Sequence, residues 1–102
     1  MTLAFDAMAD PTRRELLERL RLGGPQSLSD LADGLPISRQ AVTKHLDRLR
    51  AAGLLRIDRR GRQRLHELDA EPMREVVDFL APYAAAWDAR LARLATHLEE
   101  NP

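Results

Sequence analysis

Residues 27–68 constrain this chain more than any other stretch, because charge and periodicity change there together. Ser27-Leu28-Ser29-Asp30 opens a short helix through a capping-box pattern, with Leu28, Leu31, Ala32 and Leu35 on its inner side. Gly34-Leu35-Pro36-Ile37 makes a turn, and Ser38 caps a second helix that runs to about Ala52 and stops at Gly53. At 100° per residue, Val42, Leu46 and Leu49 fall within an arc of about 60° and define its buried side. Gln40, Thr43, Lys44 and Asp47 lie opposite, with Arg39 and His45 on the two edges. A bare face of long hydrogen-bonding side chains is what entry into a DNA major groove requires.

Two strand-like runs follow, Leu54–Arg59 and Arg62–Leu68, joined at Arg60-Gly61. Alternation in the second is imperfect, so the hairpin is expected to be short and to pack only at its base. Nine basic residues stand between positions 38 and 68 against three acidic ones, a local net of +6 in a chain whose total is zero. Residues 1–37 carry −2 and residues 69–102 carry −4. Cations gathered on one contiguous element form the electrostatic footprint of a phosphate-binding surface, which the overall charge conceals.

The flanks complete the pattern. A short helix is expected around Leu3–Met8, then one opened by Asp10 as N-cap and Pro11 at the first helical position, with Leu16, Leu17 and Leu20 inward. Gly23-Gly24-Pro25 ends it. From Glu71 the chain reads as one long helix. Met73, Val77, Leu80, Ala84, Trp87, Leu91, Leu94 and Leu98 are spaced alternately four and three apart, the narrow seam of helix-on-helix packing. Pro82 falls inside it and predicts a kink near Phe79–Pro82. The order α-α-α-α-β-β-α makes a mainly α fold with a small β-hairpin, a dimeric winged helix-turn-helix in one domain over residues 1–102. Residues 27–53 form the helix-turn-helix, 54–68 the wing, and 71–99 a dimerisation helix whose expected interface residues are Val77, Leu80, Trp87, Leu91, Leu94 and Leu98.

Several function classes are disfavoured. Without cysteine there are no disulfides, thiolate metal sites or cysteine nucleophiles. The three histidines lie on separate elements and make no nucleophile-base set, so no enzyme is expected. No apolar run approaches the ~20 residues of a membrane span, and the N-terminus lacks a signal-peptide pattern, so a cytoplasmic location is expected.

Phe5-Asp6-Ala7-Met8-Ala9-Asp10-Pro11-Thr12-Arg13-Arg14, Ser38-Arg39-Gln40-Ala41-Val42-Thr43-Lys44-His45-Leu46, Leu49-Arg50-Ala51-Ala52-Gly53-Leu54-Leu55 and Gly61-Arg62-Gln63-Arg64 occur in the order and spacing of the ArsR-type regulators. The chain resembles that family along nearly its whole length. The resemblance implies a homodimer joined through its first and last helices, residues 1–9 with Leu3 and Phe5 at the interface beside residues 71–99, that binds operator DNA near its own promoter and represses. Metal-sensing members use paired cysteines, absent here, or an Asp-x-His pair coupled to a His-x-x-His/Glu pair in the last helix. His97 and Glu100 match the second pair, but Ala84 and Ala86 occupy the positions of the first, and half a site does not give zinc its tetrahedral shell. No metal and no cofactor are expected.

Gln40 and Thr43 are expected to reach base edges, with Arg39 or Lys44 reading guanine. Ser38 and His45 are assigned to phosphates, and Arg59, Arg60, Arg62 and Arg64 to the wing's contact with a flanking minor groove. Two alternatives stay open: a protein-interaction module acting through the heptad helix, and a repressor whose effector sits among Phe79, Tyr83 and Trp87. The effector itself is not legible.

Overall fold

A computed structural model describes residues 2–100, with side-chain surroundings from residue 4 onward. Five helices and one hairpin follow in the expected order: α1 (Thr2–Met8), α2 (Pro11–Gly23), α3 (Leu28–Ala32), α4 (Arg39–Ala51), β1 (Leu55–Arg60), β2 (Gln63–Leu68) and α5 (Glu71–Glu100). Side chains set the helix starts. Asp10, Ser27 and Ser38 each hold extended backbone and accept a hydrogen bond from the N–H three residues on, at Arg13 (3.0 Å), Asp30 (3.2 Å) and Ala41 (3.1 Å). At the end of α4, Gly53 takes φ 78°, and Leu54 N–H reaches the Leu49 carbonyl at 3.0 Å. That left-handed turn swings the chain directly into the wing.

The core lies between α1–α4 and the base of the hairpin. Leu16, Leu31, Val42, Leu49 and Leu54 are fully buried, with Leu17, Leu20, Leu46 and Leu55 beside them. Arg13 is the exception, a cation only 7% exposed. Its Nε donates to the Ala7 carbonyl (2.5 Å) and its Nη2 to that of Asp6 (2.9 Å), while Arg14 Nη1 donates to the carbonyls of Met8 and Ala9. The last carbonyls of a helix have no partners of their own. These two arginines supply them for α1, which gives the Thr12-Arg13-Arg14 run its structural reason. Arg19 does the same for the end of α3 through Leu31 and Asp33.

The hairpin pairs Leu55 with Leu68 at its base and Arg60 with Gln63 at its tip. Its loop is therefore Gly61-Arg62, one residue later than the expected Arg60-Gly61, with Gly61 at φ 63° as a tight hairpin turn demands. Each strand has six residues, and of these only Leu55 at the base is buried, as the imperfect alternation implied. Gln26, just before α3, adds a bridge to His66 through reciprocal backbone bonds of 3.0 and 2.7 Å. That bridge ties the wing base to the helix-turn-helix.

In α5 the buried residue is Val76, not Val77, which is 62% exposed. Met73 and Val76 turn the first two turns of the helix onto the core beside α1, which leaves Val77, expected at an interface between protomers, on the outward side with the rest of the seam. Pro82 does not interrupt α5, which runs unbroken through it. Past Phe79 every described residue of the helix is exposed. Thirty residues make it roughly 45 Å long, and the molecule is 63 Å in its longest dimension.

Candidate nucleic-acid interface

Sequence folds α4 so that one side is welded to the core and the other left bare. Val42 and Leu49 are fully buried, whereas Ser38, Arg39, Gln40, Thr43, Lys44, Asp47 and Arg48 are exposed. The Ser38 oxygen already accepts the Ala41 N–H, which leaves its hydroxyl proton to donate. Among the described residues, no carboxylate lies within ion-pair distance of Arg39 or Lys44. Two extended cations beside Gln40 and Thr43 are thus available to acceptors on a ligand. His45 is placed differently. It turns toward α2, with its Nδ1 3.5 Å from Arg13 Nη1 and 3.8 Å from the Asp10 carboxylate. Asp10 sits below the usual carboxylate range, chiefly because it accepts the Arg13 backbone N–H, and burial only partly opposes that.

Register divides the wing arginines into two sets. Leu55, Ile57 and Arg59 of β1 face the same way as Leu68, His66 and Arg64 of β2, since alternate residues share a side. Ile57, Arg64 and His66 line a hollow of about 250 Å³ with Thr43, Leu46 and Asp47 of α4, so this is the side that looks along α4. Arg59 and Arg64 lie directly opposite each other on it. Like charges so paired repel, and neither has a carboxylate within reach among the described residues. The other side is neutralised: Arg56 contacts Glu67 (3.5 Å) and Asp69 (3.9 Å), and Arg60 Nε donates to Asp58 at 3.0 Å. Arg62 at the loop is exposed and likewise without such a partner. Arg59, Arg62 and Arg64 therefore form the open cationic set, and Arg60, expected to act with them, is engaged by Asp58.

His66 is half-buried beneath these arginines, its Nδ1 3.3 Å from the Gln26 carbonyl. Burial pushes its pKa below the usual 6.5, and the charges of Arg64 and Arg50 add to the effect. Sequence reasoning missed this role because Gln26 stands forty residues away.

Along α5, Leu80, Trp87, Leu91, Leu94 and Leu98 are 44–60% exposed. Phe5 packs edge-on against Phe79 with centroids 5.8 Å apart, and Phe79 meets Tyr83 at 5.7 Å. Phe79, Tyr83 and Trp87 are each 45% exposed or more, so within one protomer they make a surface and enclose nothing. The Leu3 side chain falls outside the described residues. Among the described residues, no three His, Asp or Glu side chains gather as a metal site, and no helix is long and apolar enough to cross a membrane.

Residues 8–58 match the profile of a helix-turn-helix domain. An ArsR-like transcriptional regulator from Rhodococcus superimposes with a TM-score of 0.71 at 38% identity, over 93% of this chain and 89% of that one. The chain belongs to the ArsR family. Its curated relatives are regulators as well. The HTH-type transcriptional regulator Rv2034 of Mycobacterium tuberculosis is 44% identical over 66 residues, 65% of this chain and 61% of that protein. The transcriptional repressor SdpR of Bacillus subtilis is 29% identical over 78% of this chain and 88% of its own length. This ArsR-family chain is thus a winged helix-turn-helix regulator, a class defined by recognition and not by catalysis.

Proposed function

We propose that the protein is a homodimeric, sequence-specific double-stranded DNA-binding repressor that acts in the cytoplasm on a palindromic operator, its own promoter included. One observation carries the reading: the bare face of α4 and the unpaired side of the wing lie side by side and present Arg39, Lys44, Arg59 and Arg64 without carboxylate partners among the described residues, with Asp47 the one acidic group between them. Gln40 and Thr43 read base edges, Arg39 or Lys44 reads guanine, and Ser38 fixes a phosphate near the positive end of α4. Arg59, Arg62 and Arg64 follow the backbone beside the groove.

The exposed stripe on α5, continuous with Phe5 of α1, supports self-association, and two-fold symmetry suits a palindrome. Two recognition helices then meet half-sites about 34–36 Å apart, or a multiple of that. Repression is carried over from the name of SdpR. Neither a metal nor a cofactor enters this reading.

The test is a titration against the chain's own upstream DNA and a shuffled duplex at two salt concentrations. Preference for the native fragment with steep salt dependence is the expected result. Equal affinity for both duplexes would refute sequence recognition, and salt-independent capture of a protein partner would move the function to α5.

A further inference from the structure

Helix α4 is bordered by two hollows, one on each side of its bare face. The wing-side hollow belongs to the interface above and includes the Asp47 carboxylate. On the opposite side, between α2 and α4, lies an open hollow of about 450 Å³ whose walls are Arg13, Lys44, His45 and Arg48 around the small Ala41. Among the described residues no carboxylate lines it, although Asp10 stands behind it, 3.8 Å from His45 Nδ1. Arg13 is a fixed cation there, because Nε and Nη2 are tied to the end of α1 while Nη1 turns toward His45. Lys44 and Arg48 are one helical turn apart and exposed. Among the described residues, neither has a carboxylate within ion-pair distance. Like charges at that spacing repel, and Arg13 behind them, partly offset by Asp10, adds to the positive field. An anion seated over Ala41 relieves the repulsion between Lys44 and Arg48.

A major groove is walled by two sugar-phosphate backbones. With Arg39, Gln40 and Thr43 directed at base edges, the wing meets one wall and this hollow faces the other. We propose that the hollow between α2 and α4 is a phosphate site that seats one DNA backbone phosphate across the groove from the wing, held by Arg48 and Lys44 with Arg13 and His45 behind. The site rests on the DNA-binding reading and adds a second wall to it. Among the described residues the exposed Arg48 side chain has no hydrogen-bond or ion-pair partner, so Arg48→Gln tests the site without disturbing the core. It flattens the plot of log affinity against log salt by about 0.9 and weakens native and shuffled duplexes in parallel. A scan of duplexes, each with one neutral methylphosphonate, finds a position that weakens the wild type but not Arg48→Gln.

An unchanged salt slope in Arg48→Gln, with the wild type binding normally, overturns the site and leaves the DNA-binding reading intact. A wild type that binds no DNA overturns both. If inorganic phosphate at matched ionic strength binds saturably without DNA, and Arg48→Gln abolishes that binding but not the DNA salt slope, the site takes a free anion and the DNA assignment fails.

Discussion

Trp87→Ala tests whether α5 is the self-association surface. Trp87 is the single tryptophan and is 58% exposed on the free stripe. An indole side chain has roughly 250 Å² to bury, so about 140 Å² remains open in one protomer. Complete coverage at ~25 cal/mol per Å² is worth about 3.5 kcal/mol per copy. A symmetric interface buries the residue twice, and half-coverage in each copy brings the total back to about 3.5 kcal/mol. The dimer of the variant should therefore dissociate roughly 300-fold more readily. Sedimentation velocity over a dilution series measures that constant for both proteins. The wild type carries its own reporter, because emission from Trp87 should shift to the red as dimers dissociate and the indole meets water. Equal dissociation constants in the two proteins, or emission that ignores concentration, would refute the placement of Trp87 in an interface.

Three further outcomes follow from particular contacts. Arg59→Ala should flatten the salt slope of DNA binding by about 0.9, whereas Arg56→Ala, on the neutralised side of the wing, should change it by less than about 0.3; equal effects would show that register does not sort the wing cations. Arg13→Met should cost about 3 kcal/mol in urea denaturation, since two charge-assisted bonds to the end of α1 are lost from a buried site; a loss under about 1 kcal/mol would mean that α1 is held by other contacts. His66 has a folded pKa below its usual value, so the unfolded chain binds more protons, and stability should fall as pH drops below about 6.5 and through the folded pKa. In His66→Gln that fall should be absent between about pH 7 and pH 5.5, and a persisting slope would assign it to another group.

Sequence legibility divides along a physical line. Asp10-Pro11, Ser27 and Ser38 were readable as helix starts because a cap bonds within three residues of itself, and the inward face of α4 was readable because 100° per residue fixes which side chains share an arc. In α5 the heptad count links Val77 to Leu80 and Trp87 along the exposed stripe, but it did not single out Val76, which is equally apolar and packs on the core. For Arg13, sequence offered an arginine in a polar run, and nothing local says that α1 will place two carbonyls over it.

The sequence by itself determined the order of elements, the bare face of α4 and the concentration of cations between residues 38 and 68, because caps, periodicity and charge density are properties of near neighbours along the chain. Only the tertiary structure decided which of those cations are available. Asp58 engages Arg60, while Glu67 and Asp69 engage Arg56. Arg59 and Arg64 are brought face to face by the hairpin register, and Arg13 reaches the side of α4 from thirty-two residues away. Charge acts through space and falls with distance, so a residue's formal charge belongs to the sequence, whereas its freedom to meet a phosphate belongs to the fold.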